Sequence, residues 1–270
     1  MTHDELPVIG LIPAAGISAR LSPLPCSKEL LPVGFMPSPS GPKPKPVCLY
    51  LLERMRLAGI PRAFLVLRPG KWDIPAYLGH GEQLGIDLGY LIMRLAHGSP
   101  YTLDQAYPFV RGCLVAVGFP DIIFEPQDAY AQLLDRLRAT GADVVLGLFP
   151  TDAPHTTDMV ETDAAGRVLR IHVKPAQSSL RFCWMLCVWG PRFTEHLHVQ
   201  LAELERLRAD PDPALRPQRE LFVGDVVQAA IDRGMLVQSV AFPEGSAIDV
   251  GTPGSLVRAV RRYAAEAELP

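Results

Sequence analysis

Two cations bracket a run of small residues near the start of this chain. The apolar stretch Val8-Ile9-Gly10-Leu11-Ile12-Pro13 leads into Ala14-Ala15-Gly16-Ile17-Ser18-Ala19, with Arg20 and then Lys28 beyond it. Backbone N–H groups of such a loop can approach a polyphosphate closely because no bulky side chain intervenes, while a guanidinium and an ammonium neutralise its charge. The chemistry implied is anion binding at the carboxyl end of a strand, where open α/β sheets usually hold ligands. The loop contains neither the G-x-G-x-x-G of dinucleotide-binding folds nor the closing Gly-Lys-[Ser/Thr] of a Walker-A loop, so those two phosphate sites are excluded.

A loop of this kind works only if a sheet holds it, and the hydrophobic patterning supplies one. Helical spacing over residues 47–58, ending at Gly59, is followed by a short apolar strand at 63–67 and a mixed strand at 85–93. Residues 114–117 are a buried strand, 127–139 a helix and 143–149 another strand. Strands separated by helices predict a parallel sheet with right-handed crossovers and helices on both faces. In the second half, residues 159–162 and 168–171 flank Asp163-Ala164-Ala165-Gly166 and read as a hairpin. Strands follow at 180–189 and 236–242, with helices at 192–208, 221–233 and 257–267. The proline-rich run at 37–46 reads as extended, solvated chain. It leaves open a lid that brings Lys43 and Lys45 beside the phosphate loop and a surface elaboration, the second being favoured.

At 270 residues the chain can bury a substantial core as one α/β domain, and 48% hydrophobic with 20% charged residues is the composition of a soluble globular protein. A net charge of −3 argues against a nucleic-acid partner held by bulk electrostatics. No apolar run reaches membrane-spanning length, and Asp4 and Glu5 stand where a targeting segment would be basic, so the expected location is the cytoplasm with no membrane partner. The five cysteines are widely spaced, and Cys183 and Cys187 are expected to share one strand face as buried thiols. His196 and His198 lack a third ligand and are expected on a solvated helix face.

The N-terminal segment, with Ala14-Ala15-Gly16, Arg20-Leu21, Pro23 and Lys28-Glu29-Leu30-Leu31-Pro32-Val33, resembles the signature of the sugar-1-phosphate nucleotidyltransferases, the glucose-1-phosphate thymidylyl- and uridylyltransferases among them. Two positions depart: Ser18 stands for the second glycine and Ala19 for the hydroxyl residue before the arginine. Three further motifs follow in order. Val117-Gly118-Phe119-Pro120-Asp121 resembles the strand that ends in a metal-binding aspartate. His172-Val173-Lys174-Pro175 resembles Glu-Lys-Pro with valine for glutamate. Ala247-Ile248-Asp249-Val250-Gly251-Thr252-Pro253 resembles the second metal motif. Thr252 and Pro253 are also a good helix start, as cap and first-turn residue.

The resemblance implies a Rossmann-like mixed, mostly parallel α/β sheet with helices on both faces and a small β extension over the sugar site. It spans a single domain, with residues 1–150 as nucleotide-binding half and 151–270 as sugar-phosphate-binding half. It implies Mg2+-dependent transfer of a nucleotidyl group, from dTTP or UTP, to a sugar 1-phosphate with release of pyrophosphate. Arg20 and Lys28 would grip the triphosphate, and Ala14, Ala15, Gly16 and Gly98 would line the nucleotide. Asp121 and Asp249 would hold the metal, and Lys174 the acceptor phosphate. Relatives are often dimers or tetramers, so a homo-oligomer is a candidate assembly. The departures gather on the sugar side, where Thr157-Asp158 replaces Tyr-Gly and Leu180-Arg181-Phe182-Cys183-Trp184-Met185 replaces a strand containing asparagine. Matched polar contacts supply most discrimination among sugars, so the acceptor expected is not glucose but a modified sugar, a deoxysugar or a cyclitol phosphate. Two other readings stay open: a catalytically silent nucleotide-binding relative, and a transferase for a non-sugar phosphate such as an alditol phosphate or phosphocholine.

Overall fold

The computed structural model describes residues 3–93, 97–209, 212 and 219–265. From the N-terminus the chain runs β1 (Val8–Pro13), a hairpin of β2 (Pro32–Met36) and β3 (Lys43–Pro46), α1 (Val47–Leu57), β4 (Arg62–Leu67), α2 (Asp73–Leu78) and β5 (Asp87–Ile92). Next come α3 (Ser99–Asp104), α4 (Tyr107–Val110), β6 (Leu114–Val117), β7 (Ile122–Glu125), α5 (Ala129–Thr140) and β8 (Val144–Pro150). The second half adds β9 (Met159–Thr162), β10 (Val168–His172), β11 (Phe182–Trp189), α6 (Pro191–Arg208), α7 (Val223–Asp232), β12 (Val237–Ala241), β13 (Ser246–Asp249) and α8 (Pro253–Ala265). The last helix starts four positions before the apolar spacing suggests because Thr252 caps it, its Oγ1 accepting the Ser255 N–H at 3.2 Å. Residues 266 and 267 of the expected helix lie outside the described residues, as do Leu95 and Ala96 of the segment before Gly98.

The main sheet has the order β10-β9-β11-β6-β1-β4-β5, with β8 and β12 branching from β11. The β6-β1-β4-β5 stretch is parallel throughout, and β12 is parallel to β8. β11 runs antiparallel to β6, β8 and β9 and joins the two halves. Alternation along each strand divides the core in two. Leu11, Val115 and Val117 face one cluster beneath α3, α4, α6 and α7, while Ile12, Leu114 and Ala116 face another beneath α1, α2 and α5. Helices therefore cover both faces. On α5 the apolar stripe is Tyr130, Leu133, Leu134 and Leu137, a helical spacing that buries one face, and Gly141 at φ +63° ends the helix. Gly10 lets α1 approach β1, since a Cβ there would lie 2.8 Å from both Ala63 Cβ and Met55 Sδ.

Three expectations are corrected. β11 carries a bulge between Trp184 and Leu186, so alternation is reset within it. Cys183 pairs with Phe149 and Cys187 with Leu146, residues of opposite core faces, so the two thiols do not share a face. His196 is buried at 7% exposure against the Val226 carbonyl at 3.3 Å and so does not lie on a solvated face, whereas His198, stacked on Tyr107 and 3.0 Å from Asp104, stays partly solvent-exposed. The proline-rich run forms the tip and second strand of the β2–β3 hairpin, which packs with Tyr50 and α8 around Val33 and Tyr263. Lys45 is engaged there, 2.5 Å from Glu53 and 3.9 Å above the Tyr50 ring, and not at the phosphate loop.

Candidate active site

Parallel strands leave their carboxyl ends at one edge of the sheet, and there the marked residues collect. The Ala14 N–H completes the sheet by donating to the Val66 carbonyl at 2.9 Å, so that amide is committed to the fold. The loop then opens: a Cβ on Gly16 would meet nothing within 4 Å, and Ile17 is 68% exposed. Ser18, where the signature has glycine, takes φ +55° and so keeps the left-handed turn that glycine adopts freely. Lys28 begins a single 3-10 turn, Lys28–Leu30, and its ammonium is ion-paired to Asp121. Burial acts to lower the Lys28 pKa, but the Asp121 carboxylate, together with Glu29 and Asp249, more than offsets this and the net shift is upward.

Asp121 and Asp249 come together because β7 and β13 pair antiparallel. Asp249 stands opposite Ile122, and the Val250 N–H donates to the Asp121 carbonyl at 2.8 Å. Asp249 is an exposed residue lining the open cleft. The protein packed around its carboxyl, and the Asp121 charge beside it, push its pKa up to about 6 against the opposing pull of Lys28, Arg20 and Lys174. Gly251 makes room for this arrangement: a Cβ would lie 2.9 Å from both the Arg20 guanidinium and Asp249 Oδ1. Two adjacent carboxylates offer hard oxygen ligands, and magnesium commonly uses one or two of these together with substrate phosphates and waters. Among the described residues no group of three His, Cys, Asp or Glu side chains is arranged to hold a metal without such help. The donor set therefore fits a metal that arrives with phosphate and does not fit a closed protein cage.

Two adjoining cavities share Ser99, Phe119, Asp121, Lys174 and Phe222 as walls. One also holds Gly16, Arg20, Lys28 and Gly98; the other holds Asp158, Trp184, Met185 and Asp249. Gly98 turns at φ +116° into α3, and a Cβ there would strike the Leu221 carbonyl at 2.3 Å, so this close approach requires glycine. Lys174, in a left-handed conformation after β10, holds its ammonium 3.6 Å from the centre of the Phe222 ring. Arg20, Lys28, Asp121, Asp249, Gly98, Gly16 and Lys174 thus line one continuous cleft.

Two features escaped the reading of motifs. Behind Lys28, Glu29 and Lys71 form an ion pair at 2.6 Å, exposed only 1% and 4%. Lys71 stands alone in Pro69-Gly70-Lys71-Trp72 and carries no local signal. The second is Asp158, 8% exposed, whose Oδ2 accepts the Trp184 indole N–H at 3.3 Å. Its position was legible as a departure from the family pattern, though its burial was not.

Comparison with known proteins accords with this geometry. The nucleotidyl transferase family model matches residues 9–266. The chain is 28% identical over 255 residues to a glucose-1-phosphate thymidylyltransferase of Actinoplanes sp., covering 93% of this chain and 76% of that one. It is 27% identical to the Streptomyces griseus enzyme of the same name, over 85% of this chain and 59% of that one. In fold it is similar to a Bacillus anthracis protein assigned as a glucose-1-phosphate thymidylyltransferase, in complex with sucrose, at TM-score 0.78 and 19% identity, covering 97% of each chain. It is also similar to a UDP-glucose pyrophosphorylase complexed with UDP-glucose, at TM-score 0.75 and 16% identity, covering 96% of this chain and 98% of that one. With its family signature matched almost from end to end, the chain belongs to the nucleotidyl transferase family and, within it, to the sugar-1-phosphate nucleotidyltransferases.

Proposed function

We propose that this enzyme transfers a nucleotidyl group from dTTP or UTP to the phosphate of a sugar 1-phosphate other than glucose 1-phosphate, releasing pyrophosphate with the help of Mg2+. The observation that carries the reading is the convergence of Arg20, Lys28, Asp121, Asp249 and Lys174, from separate segments, on the two adjoining cavities. The reaction joins two polyanions, so the protein's task is positioning and charge neutralisation. Arg20 and Lys28 lie on the triphosphate side, where the open space above Gly16 admits phosphate oxygens to the backbone. Lys28 would exchange the Asp121 carboxylate for phosphate oxygens as substrate enters. Lys174 stands where the two cavities meet and would hold the acceptor phosphate in line with the α-phosphorus. Asp121 and Asp249 would hold Mg2+, which when bound polarises phosphate oxygens as a Lewis acid. Most of the nucleotide side comes from residues before about 150 and most of the acceptor side from later ones, with Phe119 and Asp121 reaching the acceptor cavity and Glu220 and Phe222 the nucleotide cavity.

Exclusion of glucose rests on the composition of the acceptor wall. Phe119, Trp184, Met185, Phe222 and Val223 supply its apolar part, and apart from Asp121, Asp249 and Lys174, assigned to metal and phosphate, its polar groups are Ser99, Thr156, Thr157 and Asp158, in place of the Tyr-Gly and asparagine of the family pattern. The direct test is pyrophosphate release over a panel of nucleoside triphosphates and sugar 1-phosphates, with and without a chelator. Thymidine or uridine triphosphate is expected to be preferred, with activity lost on chelation. Full turnover in the presence of chelator, or glucose 1-phosphate as the best acceptor, would overturn the corresponding part of the reading.

A further inference from the structure

The acceptor-side cavity contains a carboxylate that the reaction as proposed does not use. Asp158 is more than nine-tenths buried, one of its oxygens accepts the Trp184 N–H, and Oδ1 closes no hydrogen bond. Burial raises the Asp158 pKa against the lowering influence of the Trp184 hydrogen bond and the Lys174 charge. Around the same cavity stand three aromatic rings, Phe119, Trp184 and Phe222, the first two with centroids 6.0 Å apart at 52°. One ring face already attracts a cation, as the Lys174 ammonium over Phe222 shows. Arg219 and Asp225 are paired with each other at 2.6 Å, and Asp121 and Asp249, which line the same cavity, belong to the proposed metal centre. Lys174 is the one cation among the residues lining this cavity. Once Lys174 is engaged by an acceptor phosphate, Asp158 keeps the Trp184 N–H and the first turn of α7 against Oδ2, while Oδ1 stays without a hydrogen bond, and an under-satisfied buried carboxylate is costly.

We propose that the acceptor carries a positively charged nitrogen in the body attached to its phosphate, seated among Phe119, Trp184 and Phe222 and facing Asp158. This rests on the nucleotidyltransferase reading, with an amino sugar phosphate or an alkylammonium phosphate as the chemical class. The carboxylate supplies field and the rings supply cation–π attraction, so the nitrogen needs no hydrogen bond to be recognised.

Matched probes test this directly. Glucosamine 1-phosphate is compared with glucose 1-phosphate, and phosphocholine with its uncharged isostere 3,3-dimethylbutyl phosphate, by calorimetric binding without nucleotide and by pyrophosphate release with it. The charged member of at least one pair is expected to bind about tenfold or more tightly than its neutral match, the size of one desolvated cation–π contact. Asp158→Asn should bring that ratio close to one; if that variant does not fold, Trp184→Leu should reduce the ratio instead. Equal affinity within both pairs, no binding of any probe, or a preference that survives in the folded variant would overturn the inference. Because binding is read without turnover, its failure is separable from that of the nucleotidyltransferase reading, which would appear as triphosphates that neither bind nor yield pyrophosphate.

Discussion

Replacing Lys71 by methionine would leave the Glu29 carboxylate alone in the protein directly behind the phosphate loop. In the native structure the two side chains meet at 2.6 Å with 1% and 4% exposure, and Glu29 Oε2 has no hydrogen-bond partner among the described residues. Removing one member of such a pair typically costs roughly 3–5 kcal/mol, because the remaining charge is neither solvated nor paired. Against a total stability of about 5–15 kcal/mol this is large, yet it leaves the variant measurable. Replacing both residues by methionine removes the buried charges together, so the double variant should lie within about 1 kcal/mol of the native protein. The deficit should also depend on pH. Burial already raises the Glu29 pKa in the presence of Lys71, and loss of the lysine removes the main opposing influence. A carboxyl whose folded pKa is raised stabilises the protein only while protonated. The single variant's deficit should therefore be smallest below the unfolded glutamate pKa, about 4.3, and grow as pH rises through the folded value. Urea unfolding followed by tryptophan fluorescence at pH 5 and pH 8 measures both effects. A deficit under about 1 kcal/mol, one that shrinks at higher pH, or a double variant as unstable as the single would refute the reasoning.

Other expectations are quicker to check. Asp121→Asn should lower pyrophosphate release by a factor on the order of 10²–10³; undiminished turnover would remove it from the site. Gly98→Ala places a Cβ 2.3 Å from the Leu221 carbonyl at φ +116°, so a loss of about 1–3 kcal/mol from backbone strain alone is expected in thermal unfolding, with weaker nucleotide binding. All five cysteines are free, with Cys48, Cys183 and Cys187 buried and Cys26 and Cys113 partly accessible. A thiol reagent should titrate two groups in the native protein and five in urea. Cys26 shares a cavity with Lys28 and Ser18, so a bound triphosphate should slow its modification, and an unaltered rate would place the phosphates elsewhere.

The parallel half of the fold was legible because its signals are local. Long apolar strands, helical spacing on α1 and α5 and terminal glycines such as Gly59 and Gly141 all lie within a few residues of the elements they define. The β7–β13 pair was not visible as a sheet, because Ile122 and Asp249 are distant in sequence and each strand is only four residues long. Their motifs were nevertheless legible, and the pairing explains why two remote aspartates stand side by side. The β2–β3 hairpin was hidden by prolines, which interrupt alternation even where the strand lies at an edge. Lys71 could not have been singled out from sequence, since its role arises only from burial against Glu29. His196 misled for the opposite reason: an isolated polar residue looks solvated until packing against α7 supplies its partner.

The irregularity in β11 has a consequence for how this enzyme's selectivity can change. On a regular strand, neighbouring side chains point to opposite faces, so one cavity is lined by every second residue. At the bulge, Trp184 and Met185 are consecutive and both border the acceptor cavity. Deleting a single residue there would straighten the strand and withdraw one of the two from the cavity wall while the residue pairs on either side keep their register with β8. Acceptor choice in this chain is thus exposed to insertions and deletions as well as to substitutions, and a one-residue length change in this strand is the smallest edit by which a relative could acquire a different pocket.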